Sequence, residues 1–372
     1  MGFKCGIVGL PNVGKSTIFN AVTAAGAASA NYPFCTIDPN VGRVDVPDER
    51  LTTISSIIKT QRIVPTAMEF VDIAGLVRGA SKGEGLGNQF LGHIRSTDAI
   101  AHVVRCFEDG DIVHVDGSVN PIRDIETIDT ELILSDVTTV EVALDRNRKL
   151  NKSGNKKFTA IVAMLEALNT HLQGLKPART FPLESFVGEV LEVHDAWRDL
   201  HLITAKPILY VCNVEESMCD GTKDNQYTLA VKERAKAEKA QTVIISGKIE
   251  EELIQLDTES RKEMLSSLGV SEPGLNRLIR AGYDTLRLQT YFTAGEKEVH
   301  AWTINRGDKA PQAAGKIHSD FERGFICAEV YAIEDLVKAG SKAKLKEAGL
   351  IRTEGRDYTV KDGDVMEFRF NV

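Results

Sequence analysis

The chain has 372 residues, of which 42% are hydrophobic, and a formal net charge of -8 at pH 7. This length predicts two or three domains with ordinary cores, and the acidic balance argues against a protein that coats nucleic acid through bulk charge. No apolar stretch is long enough for a membrane span, no signal-peptide core begins the chain, and the six cysteines lack C-x-x-C spacing. We therefore expect a cytoplasmic protein with reduced thiols.

A strand, a glycine-rich turn and a helix start follow one another near the N-terminus. The apolar run 5–8 predicts a buried strand, and residues 9–16 after it fit the phosphate-loop pattern G-x-x-x-x-G-K-[ST]. Glycines let the backbone wrap closely around an anion, and the N–H groups at a helix start point at it. The residues predicted to bind a nucleotide here are Asn12, Val13, Gly14, Lys15, Ser16 and Thr17.

Three side chains of this loop have distinct predicted roles. Lys15 is a predicted catalytic residue because its ammonium can reach the β- and γ-phosphate oxygens. Ser16 is a predicted Mg²⁺ ligand through its hydroxyl. Asn12 is a candidate to help hold a monovalent cation such as K⁺ against the phosphates.

The next segments supply the rest of a magnesium site and two switches. Residues 67–72 read as a strand that ends in Asp-x-x-Gly, which predicts Asp72 near Mg²⁺ and the N–H group of Gly75, a predicted catalytic group, near a γ-phosphate. In the turn-rich segment 31–40, Thr36 is placed to complete the Mg²⁺ shell. The glycine-rich segment 79–87 is either a second switch or a surface loop.

The group that positions the attacking water is missing from its usual place. Ras-type GTPases carry a glutamine directly after Asp-x-x-Gly, whereas this chain has Leu76, which neither donates nor accepts a hydrogen bond. We take His114 as the candidate replacement because it follows the apolar strand 99–104 in a loop that can swing toward a γ-phosphate. The alternative is an ordinary surface histidine.

A helical hairpin is predicted in the middle of the chain. Apolar residues recur at helical spacing over 133–144 and 158–172, on either side of a basic, turn-rich segment at 151–157. Residues 142–180 contain eight Lys or Arg against two Asp or Glu, a reversal of charge that suits a polyanion such as RNA. A solvated helical arm explains the same charges.

The base-reading segment departs from that of ordinary GTPases. The apolar strand 207–212 is followed by Asn213, Val214 and Glu216, where guanine-specific proteins carry Asn-Lys-x-Asp. A carboxylate one methylene longer crowds or misses the guanine edge, and Val214 can pack on a purine ring, so we expect weak guanine selection and ATP at least as readily as GTP. Ser246 and Gly247, after the strand 242–245, are predicted to flank the purine.

From about residue 286 the pattern changes to short strands, which predicts a small α+β module. The segment 361–364 before the last strand predicts a hairpin turn. The charges of this module balance, so charge does not mark it as an RNA binder.

Over nearly its whole length the chain resembles the YchF branch of the Obg-related P-loop NTPases. The residues that carry the resemblance are the phosphate loop, the segments 31–40 and 79–87, Asp72-Ile73-Ala74-Gly75-Leu76, Asn213-x-x-Glu216, residues 288–295 and the ending 368–372. The resemblance implies an α/β P-loop NTPase domain with an inserted α-helical coiled-coil hairpin, plus a C-terminal α+β ubiquitin-like (TGS, β-grasp) domain. We expect the nucleotide-binding domain at 1–128 and 204–285, the helical insertion at 129–203 and the TGS domain at 286–372.

The resemblance also implies hydrolysis of ATP, in preference to GTP, to ADP and phosphate, and association with ribosomes. We expect a Mg²⁺-dependent ATPase that is a monomer, that binds the large ribosomal subunit through RNA and protein, and that has no membrane partner. Two other functions stay open: a GTPase with relaxed base specificity, and a nucleotide-sensing regulator with little hydrolysis, which Leu76 favours. An RNA-binding role for the TGS domain rests on the resemblance alone, and a packing or protein-interaction module is the alternative.

Overall fold

The structure is a computed structural model that describes residues 3–29, 40–73, 86–112, 114–115, 117–151, 155–187 and 192–371. Its contacts divide the chain into two compact units. The first unit comprises Met1–Gly42 and Glu69–Ala281, and the second comprises Arg43–Met68 and Gly282–Val372.

The secondary structure alternates strands and helices over the first unit and becomes richer in strands toward the C-terminus. The strands are β1 Lys4–Val8, β2 Val41–Asp45, β3 Ile63–Val64, β4 Ala67–Asp72, β5 Ala99–Arg105, β6 Ile208–Asn213, β7 Gln241–Ile245, β8 Leu288–Ala294, β9 Val299–Asn305, β10 Phe325–Ala332, β11 Arg352–Glu354 and β12 Asp364–Phe370. The helices are α1 Lys15–Ser29, α2 Glu49–Ile57, α3 Leu86–Arg95, α4 Pro121–Leu150, α5 Lys156–Gln173, α6 Glu184–Val187, α7 Glu192–Asp199, α8 Gln226–Glu238, α9 Gly247–Gln255, α10 Thr258–Ser267, α11 Gly274–Thr285, α12 Ala310–Ile317, α13 Ser319–Arg323, α14 Ile333–Ala339 and α15 Lys342–Glu347. Among the described residues, no helix is both long enough and apolar enough to cross a membrane.

The first sheet has the strand order β2-β4-β1-β5-β6-β7. β1 pairs in parallel with β4 and β5, and β5, β6 and β7 continue the parallel pairing. Every residue of β5 and β6 is buried, as expected for central strands covered on both faces. Because these strands are parallel, their carboxyl ends share one edge of the sheet, where ligands of such folds bind.

Helices α4 and α5 form the helical arm that the apolar spacing predicted. The side chain of Asn120 caps α4 by accepting from the Arg123 N–H at 3.1 Å, and Pro121 occupies the first turn. The two helices bury one apolar cluster, to which Val140 and Leu165 belong. The arm is therefore held along its length by ordinary hydrophobic packing.

The base of the arm contains a buried network of charged residues, called the arm root: Asp129, Arg179, Arg234 and Glu238. The Nη2 atom of Arg179 lies 3.1 and 3.2 Å from the carboxylate oxygens of Asp129, and its Nε donates to Glu238 at 2.6 Å. The hydroxyl of Tyr210, on β6, donates to Glu238 at 3.1 Å. The arm root thus connects α4, α8 and the central sheet.

The second sheet has the order β11-β10-β12-β8-β9-β3, with β8–β9, β10–β11 and β10–β12 antiparallel. The segment Arg43–Met68 belongs with this sheet, since β3 pairs with β9, and Leu51 and Ile54 of α2 pack with Phe292. The contacts therefore differ from the expected boundaries, which assigned this segment to the nucleotide-binding domain. A two-residue strand and one short helix carry too little periodicity to reveal such pairing from sequence.

The prediction of a hairpin turn at 361–364 is wrong. β11 and β12 each pair with β10 and not with each other. The turn is instead tied to β8, because the Gly363 N–H donates to the Thr290 carbonyl at 2.8 Å and Asp362 accepts from the Thr290 N–H at 2.9 Å.

Candidate nucleotide-binding site

The loop between β1 and α1 has a backbone that suits an anion. Asn12 and Gly14 adopt left-handed φ values of 62° and 90°, and alternation of this kind forms concavities lined by N–H groups. A Cβ at Gly9 would lie 2.8 Å from the carbonyl oxygen of Val103, and a Cβ at Gly14 would lie 2.1 Å from Nδ2 of Asn213. Both glycines of the motif are therefore required by close approach, and Gly14 is required by its left-handed φ as well.

Lys15 and Asp72 meet beside this loop. The Nζ atom of Lys15 donates to Oδ1 of Asp72. Asp72 reaches this place because β4 runs parallel to β1, with Ile7 opposite Asp72. The predicted phosphate-binding ammonium and the predicted metal carboxylate thus lie together at the carboxyl edge of the sheet.

The oxygen donors near this pair suit a magnesium ion. Ser16 is exposed in the first turn of α1, and its hydroxyl and the Asp72 carboxylate are hard donors of the kind that Mg²⁺ takes together with phosphate oxygens. Within the described ranges, no group of three or more His, Cys, Asp or Glu side chains could hold a metal by itself. The residues therefore fit a Mg²⁺ ion that arrives with a nucleotide.

Asn213 joins the phosphate loop to the base-side loops. Its Nδ2 donates to the Val13 carbonyl at 2.9 Å, and its Oδ1 accepts from the Gly247 N–H at 2.9 Å. A Cβ at Gly247 would also lie 3.5 Å from Cγ2 of Thr17, so this glycine sits next to α1. The structure therefore brings together three segments that are far apart in sequence.

The residues around Asn213 differ from one another in exposure. Val214 is buried, and its N–H donates to the Ile245 carbonyl at 2.9 Å. Ser246 is also buried, and its hydroxyl is one of the few buried polar atoms of the described chain that have no hydrogen-bond partner. Such an orphan hydroxyl marks a place where a ligand can complete the hydrogen bonding.

The side chain of Glu216, at the end of this segment, is paired with a lysine. Its Oε1 accepts from Nζ of Lys248, and the two side chains are 48% and 69% exposed. The hydrogen bond to Glu216 raises the pKa of the Lys248 amine, so this amine is charged at neutral pH. The carboxylate in the base-reading position is therefore engaged by a cation.

Two predicted site residues lie outside the described residues. They are Thr36 and Gly75. Leu76 and residues 79–85 of the glycine-rich segment also lie outside the described residues.

Comparison with known proteins decides the family. A model described as "50S ribosome-binding GTPase" matches residues 4–145, and the model YchF-GTPase_C, described as "Protein of unknown function (DUF933)", matches residues 288–371. Proteins named "Ribosome-binding ATPase YchF" are 55% identical in Escherichia coli O157:H7 and 53% identical in Bacillus subtilis (strain 168), each over 372 residues and 100% of both chains. The chain belongs to the YchF family.

A solved structure of the same family supports this membership. The "Structure of the Schizosaccharomyces pombe YchF GTPase" is 38% identical, has a TM-score of 0.86, and covers 99% of this chain and 98% of that chain. The resemblance indicated by the motifs is thereby confirmed, as is a P-loop domain followed by a C-terminal YchF domain.

His114 of this YchF family member is buried, unlike the surface residue of the alternative interpretation. Its Nε2 lies 2.9 Å from Oδ2 of Asp124, and the two side chains are 4% and 2% exposed. The ring is therefore held against the first turn of α4 and does not project from a loose loop.

The loop that leads to His114 is fixed by Arg105, a fully buried residue at the end of β5. Its guanidinium donates to the carbonyls of Phe107 at 3.1 Å, Asp109 at 3.2 Å and Ile112 at 2.9 Å. One side chain thus satisfies three carbonyl groups of the loop.

Sequence reasoning missed Arg105, Asp124 and the pairing of Lys248. An acid in the first turn of a helix is common for electrostatic reasons, so Asp124 gives no sign of a contact with His114. The only available signal was the short separation of these two residues along the chain. Lys248 lies in the segment expected to flank the purine, but nothing in its neighbours indicates a contact with Glu216.

Proposed function

We propose that this chain is a Mg²⁺-dependent ATPase that hydrolyses ATP, in preference to GTP, to ADP and phosphate and acts as a conformational switch on the ribosome. Full-length relatives at 53–55% identity are named ribosome-binding ATPases. The observation that carries the proposal is the arrangement around Asn213. This side chain joins the phosphate loop to the base-side loops, and the nearby carboxylate of Glu216 is paired with Lys248.

Binding of the triphosphate is assigned to residues 12–17, whose backbone suits an anion. Ser16, Thr36 and Asp72 are the proposed Mg²⁺ ligands, and a K⁺ ion beside Asn12 is proposed as a companion. A bound Mg²⁺ would neutralise charge that develops on the β- and γ-phosphate oxygens. The contact between Lys15 and Asp72 supports this assignment because it places a phosphate-binding cation next to a metal ligand.

Selection of adenine over guanine is assigned to residues 213–216 and 246–247. Guanine recognition needs a carboxylate that accepts from the base, and here Lys248 already donates to Glu216. The buried hydroxyl of Ser246 and the backbone beside Val214 are left to meet the purine, whose hydrogen bonds do not require a carboxylate. Glu216 therefore contributes less to guanine binding than an aspartate in its usual role would.

Lys15, Gly75 and His114 are the proposed catalytic residues. Lys15 and the Gly75 N–H would stabilise charge on the γ-phosphate, where each preorganised donor is worth about a hundred- to thousand-fold in rate. His114 would position the attacking water, because Leu76 cannot.

The remaining proposals concern architecture and partners. We assign the insertion at 129–203 as a coiled-coil hairpin between the two parts of the nucleotide-binding domain, 1–128 and 204–285, and residues 286–372 as a TGS domain of β-grasp fold. The large ribosomal subunit is the proposed partner, and the excess of basic residues over 142–180 supports contact with its RNA. We place the protein in the cytoplasm as a monomer.

A GTPase with relaxed base specificity is the second candidate. The description of the matching family model and that of the Schizosaccharomyces pombe structure both use the word GTPase. The two candidates differ in one measurable quantity, the ratio of ATP to GTP affinity.

Isothermal titration of ATP and GTP in the presence of Mg²⁺ tests the proposal. We expect tighter binding of ATP. Lys248→Met frees the Glu216 carboxylate and should raise GTP affinity relative to ATP by about tenfold, the value of one charge-assisted hydrogen bond. Lys262→Met removes an exposed lysine from α10 and is the matched control.

Two results would contradict the proposal. Tight binding of GDP with adenine nucleotides ignored would remove the assignment of ATP as substrate. Absence of product in single-turnover hydrolysis, both with and without ribosomes, would favour a nucleotide-sensing regulator.

A further inference from the structure

A groove runs along the helical arm between α4 and α7, with α5 as its floor; we call it the arm groove. Its volume is about 470 Å³, and the residues that line it belong to these three helices and to the residue after α7. None of them belongs to the candidate nucleotide-binding site. The arm groove is therefore a separate surface of the first compact unit.

The wall of the arm groove formed by α4 carries apolar side chains that are exposed to solvent. Val142 and Leu150 are 68% and 47% exposed, and Arg146 lies between them at the same four-residue spacing. Residues four apart share one face of a helix, so both apolar side chains border the groove. A single exposed hydrophobic residue is ordinary, but two that line the same groove form a surface that a partner can cover.

The floor of the arm groove is apolar as well. Phe158, Ile161 and Leu165 of α5 line it at spacings of three and four residues. Ile161 and Leu165 are buried members of the cluster that holds the arm together, and Phe158 is half-buried. The arm groove is thus an open extension of the hydrophobic core of the arm.

The opposite wall, formed by α7, is acidic. Glu192, Asp195 and Asp199 line the groove at spacings of three and four residues. Nζ of Lys157 lies 3.8 Å from Oε1 of Glu192, and both side chains are at least 44% exposed. Arg198 pairs with Asp195, and these side chains are 74% and 60% exposed. Exposed pairs contribute little to stability, so the cations of a partner can replace them.

The length and the walls of the arm groove favour a helix as its occupant. From Thr139 to Leu150 the α4 wall extends about 16 Å, which is about three helical turns. Both walls are helices, whose backbone groups bond within the helix, so the groove offers no strand edge to an extended peptide. A helical segment satisfies its own backbone and presents side chains to the apolar floor.

The charges of the walls decide between a protein helix and RNA. The three carboxylates of the α7 wall would repel the phosphates of a nucleic acid, whereas lysine or arginine side chains would pair with them. Arg146, on the α4 wall, would pair with an acidic side chain of the occupant. The occupant that fits both walls therefore has a basic edge and an acidic edge on either side of an apolar face.

We propose that the arm groove binds an amphipathic helix of a partner protein, with its apolar face on α5, its basic edge against α7 and its acidic edge against α4. The proposal does not depend on nucleotide hydrolysis. It gives the arm a protein-binding role in addition to the proposed contact with ribosomal RNA.

The experiment measures the binding of fluorescein-labelled synthetic peptides to the full chain by fluorescence anisotropy. The probe is a peptide of about 18 residues with leucines at i, i+3, i+4 and i+7 spacing, lysines along one edge of the helix and glutamates along the other. A peptide of the same composition, with the leucines distributed around the helix, is the comparison. We expect the amphipathic peptide to bind at least about tenfold more tightly.

Val142→Ser combined with Leu150→Ser tests the apolar wall. This double variant should weaken binding of the amphipathic peptide by at least about tenfold. Leu134→Ser combined with Leu229→Ser is the matched control, because these leucines are 42% and 52% exposed and lie outside the groove. Since all four side chains are exposed, helical circular dichroism and ATP affinity should be unchanged in both double variants.

Asp195→Asn combined with Asp199→Asn tests the acidic wall. Binding of the amphipathic peptide should weaken by about three- to tenfold at low salt, and it should depend less on salt, because pairs between exposed charges are screened. Glu259→Gln combined with Glu263→Gln is the matched control, since it removes the same number of carboxylates from exposed positions of α10.

Three results would overturn the proposal. Equal binding of the two peptides, or no binding at peptide concentrations up to about 1 mM, would show that the chain does not recognise an amphipathic helix. Losses in the groove variants that are no larger than those in their controls would place the binding elsewhere. Binding of labelled oligouridine RNA that is weakened by the Val142 and Leu150 substitutions, with peptide binding unaffected, would assign the groove to RNA instead.

Discussion

The phosphate loop and the arm root lie in the same compact unit but are held together by different interactions. The loop is shaped by backbone: two left-handed residues, two glycines without room for a Cβ, and hydrogen bonds from Asn213. The arm root is shaped by side chains: Arg179 pairs with Asp129 and Glu238, and these three side chains are at most 7% exposed.

This difference separates a region whose free backbone groups can bind a ligand from a region whose side chains stabilise the fold. Backbone N–H groups at the loop can be offered to a ligand without loss of the fold, because the surrounding parallel sheet holds the loop in place. The buried charges of the arm root are different, because each one needs its partner to offset the free-energy cost of burying a charge. Removal of one partner therefore destabilises the fold. Substitutions in the two regions should therefore affect different measurements.

The largest effect is expected from Arg179→Met. It leaves the carboxylates of Asp129 and Glu238 short of a buried cation, which costs about 3–5 kcal/mol of stability. Urea denaturation followed by helical circular dichroism measures this, and nucleotide affinity should stay unchanged. Arg148→Met is the control: its pair with Glu166, at 2.7 Å, joins side chains that are 54% and 50% exposed, so the loss should be about 1 kcal/mol or less. Equal losses for both variants would show that burial of the arm root does not make its ion pairs more important for stability than an exposed pair.

Gly14→Ala should produce the opposite result. The new Cβ would require a φ near 90° from an alanine and would collide with Nδ2 of Asn213. Backbone strain of this kind costs about 1–3 kcal/mol, so ATP affinity should fall by about 10- to 100-fold with a smaller change in Tm. Gly92→Ala, on the exposed side of α3 with nothing within 4 Å of its Cβ, is the matched control. Unchanged ATP affinity in Gly14→Ala would remove the loop as the phosphate site.

The smallest effect concerns His102, a buried residue of β5 beside the arm root. Burial, assisted by Arg179 and Arg234 and opposed by Glu238, lowers the pKa of His102 to about 3. An unfolded histidine has a pKa of about 6.5, so between these values the unfolded chain binds a proton that the folded chain does not, and stability falls as the pH falls.

His102→Phe removes this pH-dependent loss. Between about pH 7 and about pH 5 the variant should gain about 2 kcal/mol relative to wild type, measured as the difference in free energy of unfolding at each pH. Other buried acids contribute equally to both proteins and cancel in the difference. A difference that does not change with pH would mean that His102 is not kept neutral by the fold.

The sequence was most informative where chemistry restricts residue choice over a short stretch. The phosphate loop, the Asp-x-x-Gly segment and Asn213 could be found from it because their spacing and their place after apolar strands are local properties. The helical arm was visible for the same reason, since its apolar spacing extends over many turns. Thr36 and Gly75 lie outside the described residues, so their roles stay predictions.

Contacts between distant side chains were decided only by the tertiary structure. Nothing local in the sequence pairs Glu216 with Lys248, Asp124 with His114, or the segment Arg43–Met68 with the second sheet. The physical reason is that local periodicity determines which face of an element is buried, whereas a partner is chosen by how whole elements pack. For this chain the sequence alone determined the phosphate-binding motif and the family, and packing determined which charged groups surround it.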